Sequence, residues 1–246
     1  MKLSQEQLEE FNTNGFLLIK NFLDAKECDA IRDVANVHLK YKVEPIETEY
    51  EYIGIEKEEY KKSIRRLRQV YDRDILFKNW MQNKEIKPIL EQVLNETPVL
   101  VTAHHNSIMT KLAHTSTATE WHRDRIYWYY ESDNLVSVWL ALNSENAKNG
   151  VLEFIPKSHK IKFSQDSFDK KSFFRDDYEG NKEYINSKVS FNLEKGDVVL
   201  FHCELLHRAN ANKTDENKIS FVYTVKGISV KAIKGTRSSE YKEIKL

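Results

Sequence analysis

The chain has 246 residues, 40% of them hydrophobic, and its 38 basic and 38 acidic side chains cancel. That size and apolar share support a globular core rather than disorder, and the cancelled charge gives no global field toward nucleic acid or an anionic membrane. The opening MKLSQEQLEE is too polar for the apolar segment of a secretion signal, and no run approaches the roughly 18–20 apolar residues of a spanning helix, so the expectation is a cytoplasmic protein with neither a membrane nor a nucleic-acid partner. Cys28 and Cys203 are too few and too far apart for a disulfide framework or a Cys-rich zinc site, and reduced thiols are expected.

In chain order, Ser4 followed three residues later by Gln7 is a capping-box signature, and Leu8 and Phe11 give a short helix its apolar contacts before Asn14-Gly15 ends it. GFLLIKNFL reads as a strand. Asp24 is placed to cap a second helix, in which Cys28, Ile31, Val34 and His38 fall at helical spacing. The stretch EPIETEYEYIGIEKEEYKKSIRRLRQ is dense in charge and reads as solvated loop and helix face. ILFKNWMQNKEIKPILEQVL continues helically, with a break at Asn83 and with Pro88 early in the following helix.

From Pro98 the pattern changes. VLVTAHH, SIMTKLA, VSVWLALN, GVLEFIP, VSFNLEKGDVVLFH and KISFVYTVKG are short β-rich runs separated by Asn, Gly, Lys and Asp turns. Successive strands without intervening helices argue for an antiparallel barrel or sandwich packed against the N-terminal helices, with an interior able to hold a small ligand.

Two His-x-acid triplets stand in these runs, His122-Arg123-Asp124 and His202-Cys203-Glu204. Residues i and i+2 of a strand project from one face and can chelate one ion. Two imidazoles and one carboxylate with open positions make the facial triad of non-haem Fe(II) oxygenases, so a third ligand is required. His122-Arg123-Asp124 is not a kinase catalytic loop, because the position five residues after the aspartate holds Tyr129 rather than Asn, and no glycine-rich phosphate loop is present. The segment LEKGDVVLFHCELLHRANANKTDENKISFVYTVKG offers a Gly196-Asp197 turn, a buried VVLF strand and, just beyond it, His207.

Residues 119–160 (TEWHRD, then VSVWLALNSENAKNGVLEFIPKSHK) and 193–226 resemble the phytanoyl-CoA dioxygenase family of Fe(II)/2-oxoglutarate-dependent oxygenases, and LSQEQLEEFNTNGFLLIKNFLDAKEC is similar to that family's opening helix and strand. His-x-Asp, Asn149-Gly150 with Pro156-x-Ser158-His159, and Gly196-Asp197 with His207 occur in the family's order. The resemblance implies a mainly β fold with N-terminal helices (α+β), a cupin-like double-stranded β-helix or jelly roll with the helices packed on one sheet. It implies one domain over 1–246, helical in 1–97, with the jelly-roll core in 98–232 and a tail in 233–246. Iron would be held by His122, Asp124 and His207, which leaves His202-Cys203-Glu204 structural.

The activity implied is hydroxylation or desaturation of a small molecule, using Fe(II), 2-oxoglutarate and O2, with ascorbate as an aid in vitro and succinate and CO2 released. Asp124, retained where halogenases on this scaffold carry a small residue, implies no chlorination. Trp139 stands where the family has a tryptophan against the cosubstrate, and Lys111 near a position that helps bind it. Lys218, eleven residues beyond His207, stands where the family usually has an arginine for the cosubstrate's distal carboxylate. The alternation in KISFVYTV puts Lys218, Ser220, Val222 and Thr224 on one face, the smaller and more polar one expected to face inward. An ammonium there needs an anionic partner. Arg123 replaces the family's usual Gln, and Ala209 replaces a Ser. Two other readings stay open, an iron oxygenase that does not use 2-oxoglutarate and a non-catalytic metal-binding jelly roll. The substrate and the choice between monomer and homodimer are not legible.

Overall fold

A computed structural model describes residues 1–246. Its elements are α1 (Gln5–Asn14), β1 (Phe16–Ile19), α2 (Ala25–Lys40), β2 (Ile46–Thr48), α3 (Glu49–Ile53), α4 (Glu58–Lys62), β3 (Ile64–Arg68), α5 (Ile75–Met81), α6 (Lys87–Leu94), β4 (Pro98–Lys111), β5 (Thr119–His122), β6 (Leu135–Ala141), β7 (Leu152–Phe154), α7 (Lys182–Asn186), β8 (Val189–Ser190), β9 (Val198–His202), β10 (His207–Ala209), β11 (Lys218–Gly227), α8 (Arg237–Glu240) and β12 (Glu243–Lys245). Two antiparallel sheets form the jelly roll. The larger runs β1-β9-β6-β11-β4-β3-β2, with β12 also on β4, and the smaller runs β5-β10-β7-β8.

The alternation of β11 sorts the two faces of the large sheet as expected. Ile219, Phe221, Tyr223 and Val225 pack under the helices with Phe11, Ile31, Phe77, Trp80 and Leu90. Val222 turns the other way, toward Trp139, Val199 and Phe201, which meet Leu152 and Phe154 of the small sheet. The inner faces of the two sheets therefore meet each other, opposite the helix side. Local signals hold where they were clearest: Ser4 and Gln7 form a reciprocal capping box on α1, and Asp24 caps α2. The Asn149-Gly150 turn needs its glycine twice over. Gly150 has φ +83°, and a Cβ there would lie 2.2 Å from the Asn210 carbonyl oxygen. Both cysteines are free and buried.

Two expectations change. The charged stretch before residue 69 is not a solvated loop and helix face alone: it folds as β2-α3-α4-β3 and adds two strands to the large sheet. Its pattern is hidden because buried positions are themselves charged. Arg65 and Glu49 are 4% and 0% exposed and pair at 3.0 Å, each charge offsetting the other's desolvation. VLVTAHH and SIMTKLA are one strand, β4, whose register against β11 jumps from Val101↔Thr224 to Asn106↔Tyr223. Residues 102–105 bulge, as a strand does when extra residues face one partner, and the bulge brings His105 to the centre of the site.

Candidate metal centre

His122 ends β5 and His207 begins β10, and the two face each other as register partners with ring centroids 4.2 Å apart. Asp124 opens a 3-10 turn over Asp124–Tyr127, not a continuing strand, and Arg125 N–H donates to the Cys203 carbonyl at 3.1 Å to pin that turn. The three sequence-nominated ligands come together. Asp124 Oδ1 lies 3.8 Å from His122 Nε2 and 3.7 Å from His207 Nε2, and one donor atom from each residue falls within 4.8 Å of the others.

The donor set suits a divalent transition metal. His122 Nδ1 is 2.8 Å from the Glu120 carbonyl and His207 Nδ1 is 2.9 Å from the Leu205 carbonyl. A carbonyl only accepts, so each ring donates from Nδ1 and leaves the Nε2 lone pair free toward the carboxylate, the arrangement of a metal-ligating imidazole. Burial pushes His122 down to about 3 and lowers His207, so both rings are neutral near pH 7. Burial alone would raise the Asp124 carboxyl, but His105 and His207 beside it hold it well below the usual range. Ser137 Oγ donates to Asp124 Oδ2 at 2.8 Å, and His105 Nε2 lies 2.9 Å from Oδ1. Neither was among the sequence-nominated site residues. Ser137 had a signal, its shared face with Trp139 in VSVWLAL, and His105 had a weaker one, its place on a strand able to line the pocket, while the bulge that brings it to Asp124 left none.

The other triplet goes elsewhere. The His202 ring lies against His159 at 5.2 Å, and Glu204 pairs with Arg123 at 2.9 Å, which also takes Arg123 away from the ligands. His104 Nε2 lies 2.7 Å from Ser238 Oγ, and His38 packs edge-on against Phe77.

A basic flank adjoins the triad. Lys218 is 2% exposed on the inward face, and its Nζ donates to Glu145 Oε2 at 2.9 Å. Ser220 Oγ and Trp139 Nε1 donate to Glu145 Oε1 at 2.7 and 3.0 Å, and Lys218 Nζ sits 4.9 Å from the Trp139 ring centre. Lys218 thus has the anionic partner its burial demands, supplied from within the chain by a residue the sequence did not single out. Lys111 is its direct register partner across β4 and β11. Its buried Nζ donates to the Thr117 carbonyl and pairs with no carboxylate. Burial, followed by the charges of Arg65 and Lys218, pushes its pKa well below the ordinary lysine value.

A jelly roll whose sheets bring two imidazoles and a carboxylate to one point is a facial-triad protein of the kind that holds iron. The phytanoyl-CoA dioxygenase (PhyH) family model matches residues 11–220, and the chain belongs to that family. It is 29% identical over 230 residues to the peroxisomal phytanoyl-CoA dioxygenase of Homo sapiens, covering 86% of this chain and 65% of that protein's length. A probable phytanoyl-CoA dioxygenase of Caenorhabditis elegans is 26% identical over 225 residues, 87% of this chain and 72% of its own. Among solved structures, EctD from S. alaskensis with bound Fe superposes with a TM-score of 0.80 at 17% identity, covering 99% of this chain and 87% of that one. The epimerase SnoN in complex with Fe3+, alpha ketoglutarate and nogalamycin RO gives 0.76 at 16% identity, covering 98% and 94%. The jelly roll expected from sequence is the fold observed.

Proposed function

We propose that the chain is an Fe(II)- and 2-oxoglutarate-dependent dioxygenase that hydroxylates or desaturates a small molecule. The observation that carries this is the convergence of His122, Asp124 and His207, all buried and in the protonation states that ligation requires. Those three residues would hold iron. With 2-oxoglutarate and dioxygen, the bound metal supplies the oxidising power that removes hydrogen from a substrate carbon, and the cosubstrate leaves as succinate and CO2. The protein's share is orientation. Backbone carbonyls fix the two imidazoles, Ser137 and His105 hold the carboxylate, and the packed rings of Phe154 and Phe201 keep water from the His207 side.

The basic flank is the proposed seat of the cosubstrate's distal carboxylate. Lys218 is matched by Glu145, whereas Lys111 Nζ has only the Thr117 carbonyl; an incoming carboxylate would favour protonated Lys111 and supply the charge it lacks. Lys111 therefore becomes the principal anchor, while Lys218 acts through the Glu145, Ser220 and Trp139 group beside it. Trp139 walls the pocket with its indole N–H tied to Glu145. Ala209 offers no hydroxyl. Asp124 keeps its carboxylate in the ligand set, which favours hydroxylation or desaturation over chlorination.

A second reading, an iron oxygenase that does not use 2-oxoglutarate, is favoured by one observation: Glu145 already occupies Lys218. The test is succinate formation with Fe(II), ascorbate, dioxygen and a metabolite panel, in the presence and absence of 2-oxoglutarate. Succinate that depends on 2-oxoglutarate and is lost in His207→Ala is expected. Oxidised product without 2-oxoglutarate would select the second reading, and no succinate with any panel member would contradict the first.

No helix is long and apolar enough to cross a membrane. The two free cysteines support a reducing compartment such as the cytoplasm. A single domain is supported by β1, β2 and β12, from both ends of the chain, joining one sheet. The partner is a small-molecule substrate, bound by a monomer or a homodimer.

A further inference from the structure

Strand β3 carries Ile64-Arg65-Arg66-Leu67-Arg68. Leu67 pairs with Ile108 and packs under the helices, so alternation turns Arg66 and Arg68 to the opposite face. Arg68 stands opposite Ser107, Ser107 opposite Val222, and Val222 opposite Trp139. That row crosses the inner face of the large sheet toward the metal, because Val222 and Trp139 pack with Phe154 and Phe201, whose rings lie against His207.

The charges on β3 do not balance. Arg65 pairs with Glu49 at 3.0 Å and Arg66 with Glu47 at 2.6 Å, while Arg68 pairs with no carboxylate. Three buried polar atoms on this inner face have no hydrogen-bond partner: Nε of Arg66, Nε of Arg68 and Oγ1 of Thr224. Thr224 stands opposite Ser137, the residue that donates to Asp124, so these atoms run from the sheet edge to the metal centre. Arg68 is half-buried: its Nε is desolvated without a partner, while its terminal nitrogens bond to nothing in the chain and stay accessible, and an anion there offsets the cost of that Nε. Around the metal the walls are aromatic, with Tyr127 and Phe173 each 6.3 Å from the His122 ring.

We propose that Arg68 anchors the prime substrate, a small molecule with an apolar body and one terminal oxyanion, either carboxylate or phosphate. This rests on the dioxygenase reading above and adds the substrate class to it. The planar fork of Arg68 takes two oxygens of the group, and Thr224 Oγ1, opposite Ser137, takes a polar atom nearer the triad. Strands β3 and β6 are three spacings apart, ~14 Å, the lateral span that the apolar body would bridge.

The experiment is calorimetry on the full chain loaded with Ni(II) and saturating 2-oxoglutarate, with hexanoate, hexyl phosphate and hexanamide as probes. An anionic probe should bind at least about tenfold tighter than the amide, roughly 1.4 kcal/mol, and the tighter of the two identifies carboxylate or phosphate. Arg68→Gln should erase the preference and Arg68→Lys should keep part of it. If Arg68→Gln fails to bind Ni(II), the lysine variant decides: a preference reduced but present supports the anchor, and an unchanged one overturns it. Absence of any preference in the wild type, its survival in Arg68→Gln, or an equal weakening of 2-oxoglutarate itself would also overturn the proposal. Succinate formation is measured separately in the wild type. Its absence alongside an intact anion preference refutes the dioxygenase reading and leaves the anion site standing, whereas succinate without the preference refutes only the anchor.

Discussion

The metal end of the chamber and its basic flank are built by opposite means. At the metal end the two imidazoles are aimed by carbonyls two residues earlier in the chain, Glu120 for His122 and Leu205 for His207. On the flank, Lys218 is held by Glu145 at a separation of 73 residues, and Arg65 by Glu49 at 16. A locally clamped donor keeps its aim whatever surrounds it. A buried ion pair depends on the whole fold being in place, and it is costly to break because either partner alone is an uncompensated charge.

That contrast is broken most sharply at the metal end. His207→Ala should lower Fe(II) affinity by more than about 100-fold, beyond the 10–100-fold typical of outer-shell partners, and should end turnover with little change in thermal stability. Equilibrium dialysis and a melting curve check both. His202→Ala, whose ring packs on His159 rather than on the triad, should leave the affinity alone.

The flank should respond in stability first. Lys218→Ala leaves Glu145 buried beside Ser220 and Trp139 without a cation and should cost about 3–5 kcal/mol in urea unfolding. Adding Glu145→Gln should recover much of that loss, since the stranded charge is gone. A double variant no more stable than the single would show that the pair is not coupled. Lys111→Ala removes the lysine that lacks a carboxylate partner instead. It should raise the 2-oxoglutarate KM about tenfold, roughly 1.4 kcal/mol, with Fe(II) affinity nearly unchanged.

A smaller, graded effect comes from pH. Burial pushes His104 and His122 down to about 3 and His202 to about 4, against an ordinary value of 6.5. The folded chain keeps these rings neutral while the unfolded chain protonates them. The unfolded state therefore binds more protons between about pH 6.5 and 4, and the metal-free protein loses stability as pH falls through that window. Urea midpoints at pH 7, 6 and 5 should decline in order. Flat midpoints would mean that these rings are solvated rather than buried.

What could be read from sequence follows the same division. The helix caps at Ser4 and Asp24 and the faces of β11 were legible because each depends on residues near in sequence or on strict alternation, whereas His122, Asp124 and His207 were nominated as a set through the motif order of the family they resemble. Arg65, Glu49 and Glu145 were not, and His105 was legible only as a residue of a strand that could line the pocket. Charged side chains at buried positions imitate a solvated run, and nothing local announces that residues 102–105 leave the register of β4. Lys218 shows both sides. Its inward face followed from alternation, but the carboxylate that holds it comes from a distant turn.

Joint binding of iron and 2-oxoglutarate by His122, Asp124 and His207 is open to anaerobic titration of the protein with Fe(II) and 2-oxoglutarate, followed in the visible range. The wild type should develop the weak charge-transfer band of a chelated keto acid, His202→Ala should retain it, and His207→Ala should lose it. A band that survives in His207→Ala and disappears in His202→Ala, or no band in the wild type, would contradict that binding.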